Sequence, residues 1–213
     1  MALEIQAAAP PSLESGDHLT RDEFHRRYLA RPDIKKAELI EGVVYVASPV
    51  RFDRHGQPHA YLMGWLAVYA SQAPGVLPGD NATVLLDDQT EVQPDAFLWH
   101  TEPEQPHAPR LTTDGYIQGA PQLIVEVAAS SASYDLHEKR AAYERNGVRE
   151  YLVWRVLDGA LDWFRLEDGA YIRVEPDAAG LIESTAFPGL RLHVPSLLAG
   201  NLASVLEHLR AAQ

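Results

Sequence analysis

The 213-residue chain contains no cysteine. That absence excludes disulfides, cysteine-ligated zinc and a cysteine nucleophile. No apolar run approaches the roughly 18 residues that a membrane-spanning helix needs, so no membrane partner is expected. The N-terminus, rich in Ala, Pro and Ser, has no basic stretch followed by an apolar core. It does not read as a secretory signal, and a cytoplasmic location fits. No Gly-x-Ser-x-Gly elbow, phosphate-binding P-loop or dinucleotide fingerprint occurs, which argues against a serine hydrolase and the common nucleotide-binding folds. Positive charge is also scarce. Eighteen Lys and Arg face thirty Asp and Glu, for a formal net charge of −12. A protein that coats nucleic acid by bulk attraction would show the opposite balance.

Hydrophobic residues make up 46% of the chain and charged ones 23%, enough for one substantial core. Residues 1–17 are expected to form a disordered lead-in, and 18–213 a single domain. Basic residues gather locally in two stretches, Arg21 to Lys36 and Lys139 to Arg155. Solvated helix faces and nucleic-acid contacts explain such clusters about equally well.

Thr20-Arg21-Asp22-Glu23 has the form of a capping box and predicts a helix that Pro32 closes. Ala37–Ile40 and Val43–Ala47 flank Glu41-Gly42 and predict a hairpin. A helix is expected from His59 to Gln72, then short strands at Val76-Leu77, Thr83–Leu86 and Glu91–Leu98. The stretch His100–Pro121, with four prolines and two glycines, reads as a long surface loop. Gln122–Ala128 is the most apolar strand and predicts a central position covered on both faces. A helix over Tyr134–Asn146 follows. Glu150–Val156, Ala160–Leu166 and Ala170–Val174 predict a C-terminal β-meander. A last helix is expected over Pro195–Arg210, with Leu197, Leu198, Leu202, Val205, Leu206 and Leu209 on one face. The fold class is therefore mixed α/β (α+β), a central mixed sheet flanked by helices.

Glu126 interrupts the most buried-looking strand. A lone carboxylate there costs several kcal/mol unless it is paired or binds a metal. An ion pair that sets register is the simplest reading of such a residue. Pro94-Asp95 ends another strand, and two carboxylates on adjacent strands suit a shared magnesium ion. Lys139, thirteen residues after Glu126, flanks the apolar stripe of the following helix. There it is placed either to snorkel into solvent or to reach the strand ends. Asp135 lies four residues before Lys139 and shares its face.

Pro94-Asp95, Leu123-Ile124-Val125-Glu126-Val127, Asp135-Leu136, Lys139, Tyr143, Gly147-Val148 and Glu150-Tyr151 together resemble the PD-(D/E)XK nuclease superfamily. The upstream run Ala37 to Val44, with Ser48-Pro49 and His59, resembles the N-terminal signature of its Uma-two restriction endonuclease branch. The resemblance spans about Leu19 to Leu198. It implies a restriction-endonuclease-like sheet with a magnesium site at the strand ends, manganese being the natural substitute. Asp95 and Glu126 would be the metal ligands and Lys139 the third member of the catalytic centre. Glu38 would be an added acidic ligand or a neighbour of one, and His59 would approach the centre. The superfamily's Lys two residues after the Glu is replaced here by Ala128, and the usual Ser comes late, at Ser130.

The chemistry stands without the family, because phosphodiester hydrolysis needs an activated water and relief of charge on the phosphoryl group. The leading expectation is a metal-dependent endonuclease acting on DNA, with a homodimer suggested by the resemblance and by the apolar C-terminal helix. An inactive module that binds nucleic acid or a partner protein, and a phosphodiesterase on small nucleotides, remain open beside it. His55 and His59 have the spacing of a helical zinc pair, but Gly56 and Pro58 speak against a regular helix there. The aromatic residues Tyr151, Trp154, Trp163, Phe164 and Tyr171 are expected to pack across the meander rather than stack on bases.

Overall fold

The structure is a computed structural model, and it describes residues 11–101, 108–129 and 135–209. Thr20 caps helix α1 (Arg21–Leu29), accepting a hydrogen bond from the Glu23 N–H. The reciprocal half of the expected capping box is missing, because Arg26 and Arg27 take the Glu23 carboxylate. Strands β1 (Ala37–Ile40) and β2 (Val43–Val46) form the expected hairpin. Glu41 and Gly42 both have positive φ, 51° and 78°, a two-residue turn whose twist matches that of the strands.

A π-helical turn, Phe52–Gly56, runs into helix α2 (Gln57–Ala70). The helix starts two residues before His59. Pro58 falls in the first turn of α2, where proline is tolerated. The α2 side chains of Leu62, Trp65, Leu66 and Tyr69 are buried.

Most strands divide between two six-stranded mixed sheets rather than one, and Leu181–Glu183 pairs with Arg191–His193 in a separate two-stranded sheet. The first has the order β2-β1-β5-β4-β8-β7, adding β4 (Val84–Asp87), β5 (Thr90–Val92), β7 (Arg110–Leu111) and β8 (Ile117–Gln118). The second runs β12-β11-β10-β9-β6-β3, from β3 (Val76–Asp80), β6 (Ala96–His100) and β9 (Leu123–Ala128) to β10 (Glu150–Arg155), β11 (Ala160–Glu167) and β12 (Ala170–Arg173). Only β9 and β10 are parallel in it, and β10–β12 form the expected meander.

Two expectations change here. The single strand expected over Glu91–Leu98 is two strands, one in each sheet. They break at Gln93-Pro94-Asp95, where Pro94 has no N–H to give a ladder. The break carries Asp95 across from one sheet to the other. The stretch expected to be a loop contains β7 and β8, and β8 runs parallel to β4.

Side chains of β9 alternate between two cores. Leu123, Val125 and Val127 pack with Trp65 and Trp163, whose rings meet edge to face. Ile124 and Ala128 pack with Phe97, Tyr143 and Tyr151 on the other face. Burying each large apolar side chain contributes about 1.5–3 kcal/mol, so a strand covered twice is strongly held. The meander aromatics are part of this packing, Tyr151 stacking on Phe164 and Tyr171.

Glu150, at the start of β10, is fully buried. Its carboxylate accepts hydrogen bonds from the Ser184 hydroxyl, from Thr185 N at 2.8 Å and from Thr185 Oγ1 at 3.0 Å, with Arg165 Nε at 3.4 Å. Glu150→Ala strands these donors and is expected to cost about 3 kcal/mol, a Tm loss of about 6–12 °C. A thermal melt within 2 °C of wild type, on the scale of about half a kcal/mol, would remove Glu150 from the framework of the fold.

The C-terminal helix is broken in two, α4 (Val194–Leu198) and α5 (Leu202–Glu207), after α3 (Arg140–Arg145) earlier in the chain. Gly200 has φ +70°, and the Asn201 side chain caps Ser204 N at 3.1 Å, so the second piece starts afresh. Leu197 and Val205 lie in the chain's own core. The apolar face is therefore covered within the molecule and supplies no argument for a dimer. Among the described residues no helix is long and apolar enough to cross a membrane.

Candidate active site

The split at Gln93-Pro94-Asp95 places a cluster of acids and lysines between the two sheets. Glu38, Asp95, Glu126 and Lys139 are all buried, with exposures of 6%, 3%, 2% and 2%. Glu126 points to the Ile124 side of β9 because side chains alternate along a strand. By the same rule Glu38 faces away from Ala37 and Leu39, which pack under α1.

Lys139, the last residue of a π-helical turn over Asp135–Lys139, bridges two of the acids. Its Nζ lies 2.8 Å from Glu126 Oε1 and 2.9 Å from Glu38 Oε2. Tyr143, one turn further on, donates to the same Glu126 oxygen at 3.0 Å. Burial and the Glu126 charge hold the Tyr143 phenol well above its ordinary pKa, so its hydroxyl stays a donor. Glu38 Oε1 accepts from Gln93 N at 2.8 Å, which ties β1 to the strand break.

Asp95 is held from three sides. Oδ2 accepts from Val127 N at 2.9 Å, and Oδ1 accepts from Lys36 Nζ at 2.9 Å. Asp95 N donates to Glu126 Oε2 at 3.3 Å, which links the two acids directly. Burial opposes the Asp95 charge, yet Lys36, His55 and Lys139 outweigh it and hold the carboxyl below the usual range. Burial likewise opposes the Lys36 charge, and Asp95, Glu38 and Glu126 outweigh it, raising that ammonium above the ordinary lysine value. His55 Nε2 stands 3.6 Å from Asp95 Oδ1. His59 Nε2 donates to the Asp95 carbonyl at 2.9 Å, and the two imidazoles stack.

The expected residues Asp95, Glu126 and Lys139 thus come together, with Glu38 among them and His59 at the edge. The Asp135 side chain and Ser130 lie outside the described residues. Lys36 and His55 are additions to the expected set. Lys36 reads in sequence as one charge of a basic helix-and-turn cluster, and His55 as half of a metal pair. The chain has only the lysines Lys35, Lys36 and Lys139, and the fold brings two of these three to buried acids. The other basic residues of the two clusters are mostly spent locally. Arg26 and Arg27 bind Glu23, Arg31 binds Asp33, Arg145 binds Glu41 and Asp87, and Arg155 binds Asp158 and Asp162.

Three buried carboxylates thus meet the buried Lys139 ammonium and the partly exposed Lys36 ammonium where the two sheets adjoin. The fold is of a nuclease-like class. The sequence matches the family model Uma2, described as "Putative restriction endonuclease", over residues 21–195, and the chain belongs to that family. A crystal structure from Anabaena variabilis ATCC 29413, described as "a putative nuclease belonging to DUF820", shares its fold. The TM-score is 0.58 at 13% identity, over 78% of this chain and 90% of that one. No curated protein matches the sequence.

Proposed function

We propose that this protein is a metal-dependent endonuclease that hydrolyses phosphodiester bonds in DNA. The observation that carries the reading is the Lys139 ammonium buried between Glu126 and Glu38, one hydrogen-bond step from Asp95.

The donor set suits magnesium. It consists of hard carboxylate oxygens without thiolates, and magnesium usually takes one or two carboxylates, completing its shell with water and phosphate oxygens. Among the described residues no group of three or more His, Cys, Asp or Glu side chains is set to hold a metal ion, and the ion proposed here rests on two carboxylates. Asp95 and Glu126 would hold the ion, and manganese would replace it. When bound, it supplies Lewis-acid polarisation of the phosphoryl oxygens and an acidified water.

The chain's own groups do the positioning. Glu126 and Glu38 fix the Lys139 ammonium, which offsets charge growing on the phosphoryl oxygens or orients the attacking water. Tyr143 and Asp95 N hold the Glu126 carboxylate in place. Lys36 provides a second cation at the more exposed rim, its side chain being 25% accessible. Two chains per duplex belong to the same proposal, since one site per chain cuts one strand. Sedimentation with and without duplex DNA checks that part.

The direct test is supercoiled plasmid incubated with magnesium or manganese, beside Asp95→Asn. Wild-type nicking that needs the metal, lost by about 100-fold or more in the variant, is expected. In parallel, millimolar magnesium should raise the Tm of wild type and leave Asp95→Asn unmoved. Absence of both nicking and metal stabilisation would favour a non-catalytic module on the nuclease fold.

A further inference from the structure

The segment between the β1–β2 hairpin and α2 is built unlike the rest of the surface. Every residue from Ala47 to Arg54 is exposed. Within it Val50 is 68% and Phe52 76% accessible, and Phe52 is the most exposed large apolar side chain among the described residues. A phenyl ring held in water forgoes the main stabilisation its type brings, and Val50 two positions away is exposed with it.

The segment is not loose. Arg51 O accepts from His55 N at 2.9 Å and from Gly56 N at 3.1 Å, closing the π-helical turn at the head of α2. Near its end, His55 Nε2 stands 3.6 Å from Asp95 Oδ1, at the edge of the acid cluster. Phe52 therefore stands three positions before a residue at the edge of the site.

The charges of the segment favour an anionic partner. Most arginines of this acidic protein are neutralised by nearby carboxylates. Among the described residues no carboxylate pairs with Arg51. Arg54 has only its neighbour Asp53 at 3.7 Å, beyond hydrogen-bond reach, with both side chains well exposed. An aromatic ring between two available guanidinium groups is the pattern that stacks a nucleobase while holding the flanking phosphates.

We infer that Ala47–Arg54 is the strand-binding arm of the site. Phe52 stacks on a base of the DNA, Arg51 and Arg54 grip its phosphates, and His55 marks where the bound strand meets Asp95. The inference rests on the nuclease reading for its choice of ligand. It gives a chain of net charge −12 a local contact for a polyanion in place of a favourable overall field.

The test measures binding rather than cleavage. Fluorescence anisotropy of a labelled single-stranded oligonucleotide, and of its duplex, is titrated in calcium buffer at several salt concentrations. Phe52→Ala is expected to weaken binding about 10-fold with little change in salt dependence. Arg51→Ala/Arg54→Ala is expected to flatten the slope of log K against log salt by about two. Phe52→Trp should restore affinity, because any aromatic face stacks. A 2-aminopurine in the oligonucleotide should be quenched by wild type and Phe52→Trp but not by Phe52→Ala. Leu157→Ala, at an exposed turn of the meander, serves as the control with unchanged binding. If wild type binds but neither arm variant alters binding, or if wild type binds neither oligonucleotide, the arm is overturned. Plasmid nicking in magnesium reports separately on the nuclease reading. Nicking with arm-independent binding sinks only the arm, and arm-dependent binding without nicking sinks only the enzyme.

Discussion

Lys139→Met is expected to abolish plasmid nicking, by about 100- to 1,000-fold, and to lower the Tm by about 10 °C. Methionine keeps most of the stem length and removes the charge, so packing is largely preserved. What is lost is the ammonium between Glu126 and Glu38, all three groups being buried. Two carboxylates then face each other in a low-dielectric site. Tyr143 and Gln93 N still donate to them, but neither carries charge. Removing one partner of a buried ion pair typically costs about 3–5 kcal/mol, well above the value of a surface pair. Adding Glu38→Gln to the variant should recover part of the Tm and none of the activity. Wild-type nicking by the single variant would take Lys139 out of the chemistry. An unchanged Tm would mean that the buried triad contributes nothing net.

Lys36→Met is expected to lower the Tm by about 5 °C near neutral pH, and to do so in a pH-dependent way. The figure is smaller than for Lys139 because Lys36 is partly solvated and its pair is screened accordingly. The Asp95 carboxyl is depressed in the folded protein. Its contribution is present above the ordinary carboxylate pKa and is lost as pH falls through the depressed value. The Lys36 ammonium is raised. Its contribution is present below the ordinary lysine pKa and is lost as pH rises through the raised value. The advantage of wild type over Lys36→Met should therefore be widest between those limits and shrink toward both extremes. Melting curves of both proteins across the pH range check this. A difference that does not vary with pH would show that the Lys36–Asp95 pair is not its source.

Much of the framework is legible in the residues. The Glu41-Gly42 and meander hairpins follow from local turn chemistry, and the doubly covered β9 follows from its unbroken apolar run. The succession of motifs from Ala37 to Tyr151 carries the family. Other features depend on partners far along the chain. Nothing near Pro94 says that the strands on either side of it join different sheets. Nothing near Lys36 says that its ammonium meets an aspartate 59 positions away. The apolar stripe of the C-terminus reads equally well as a dimer face, until α2 and the second sheet are seen to cover Leu197 and Val205.

By itself, then, the sequence determined the mixed α/β class, the local turns and caps, and the chemical types available to a site without cysteine. These depend on neighbours a few residues apart, where steric and hydrogen-bonding preferences act directly. Only the tertiary structure decided which acids share a cation, which arginines are spent on internal carboxylates, and which apolar faces meet water. Those outcomes turn on burial and on distances of about 3 Å between residues distant in sequence, since only close contact out of water makes a charge pair strong.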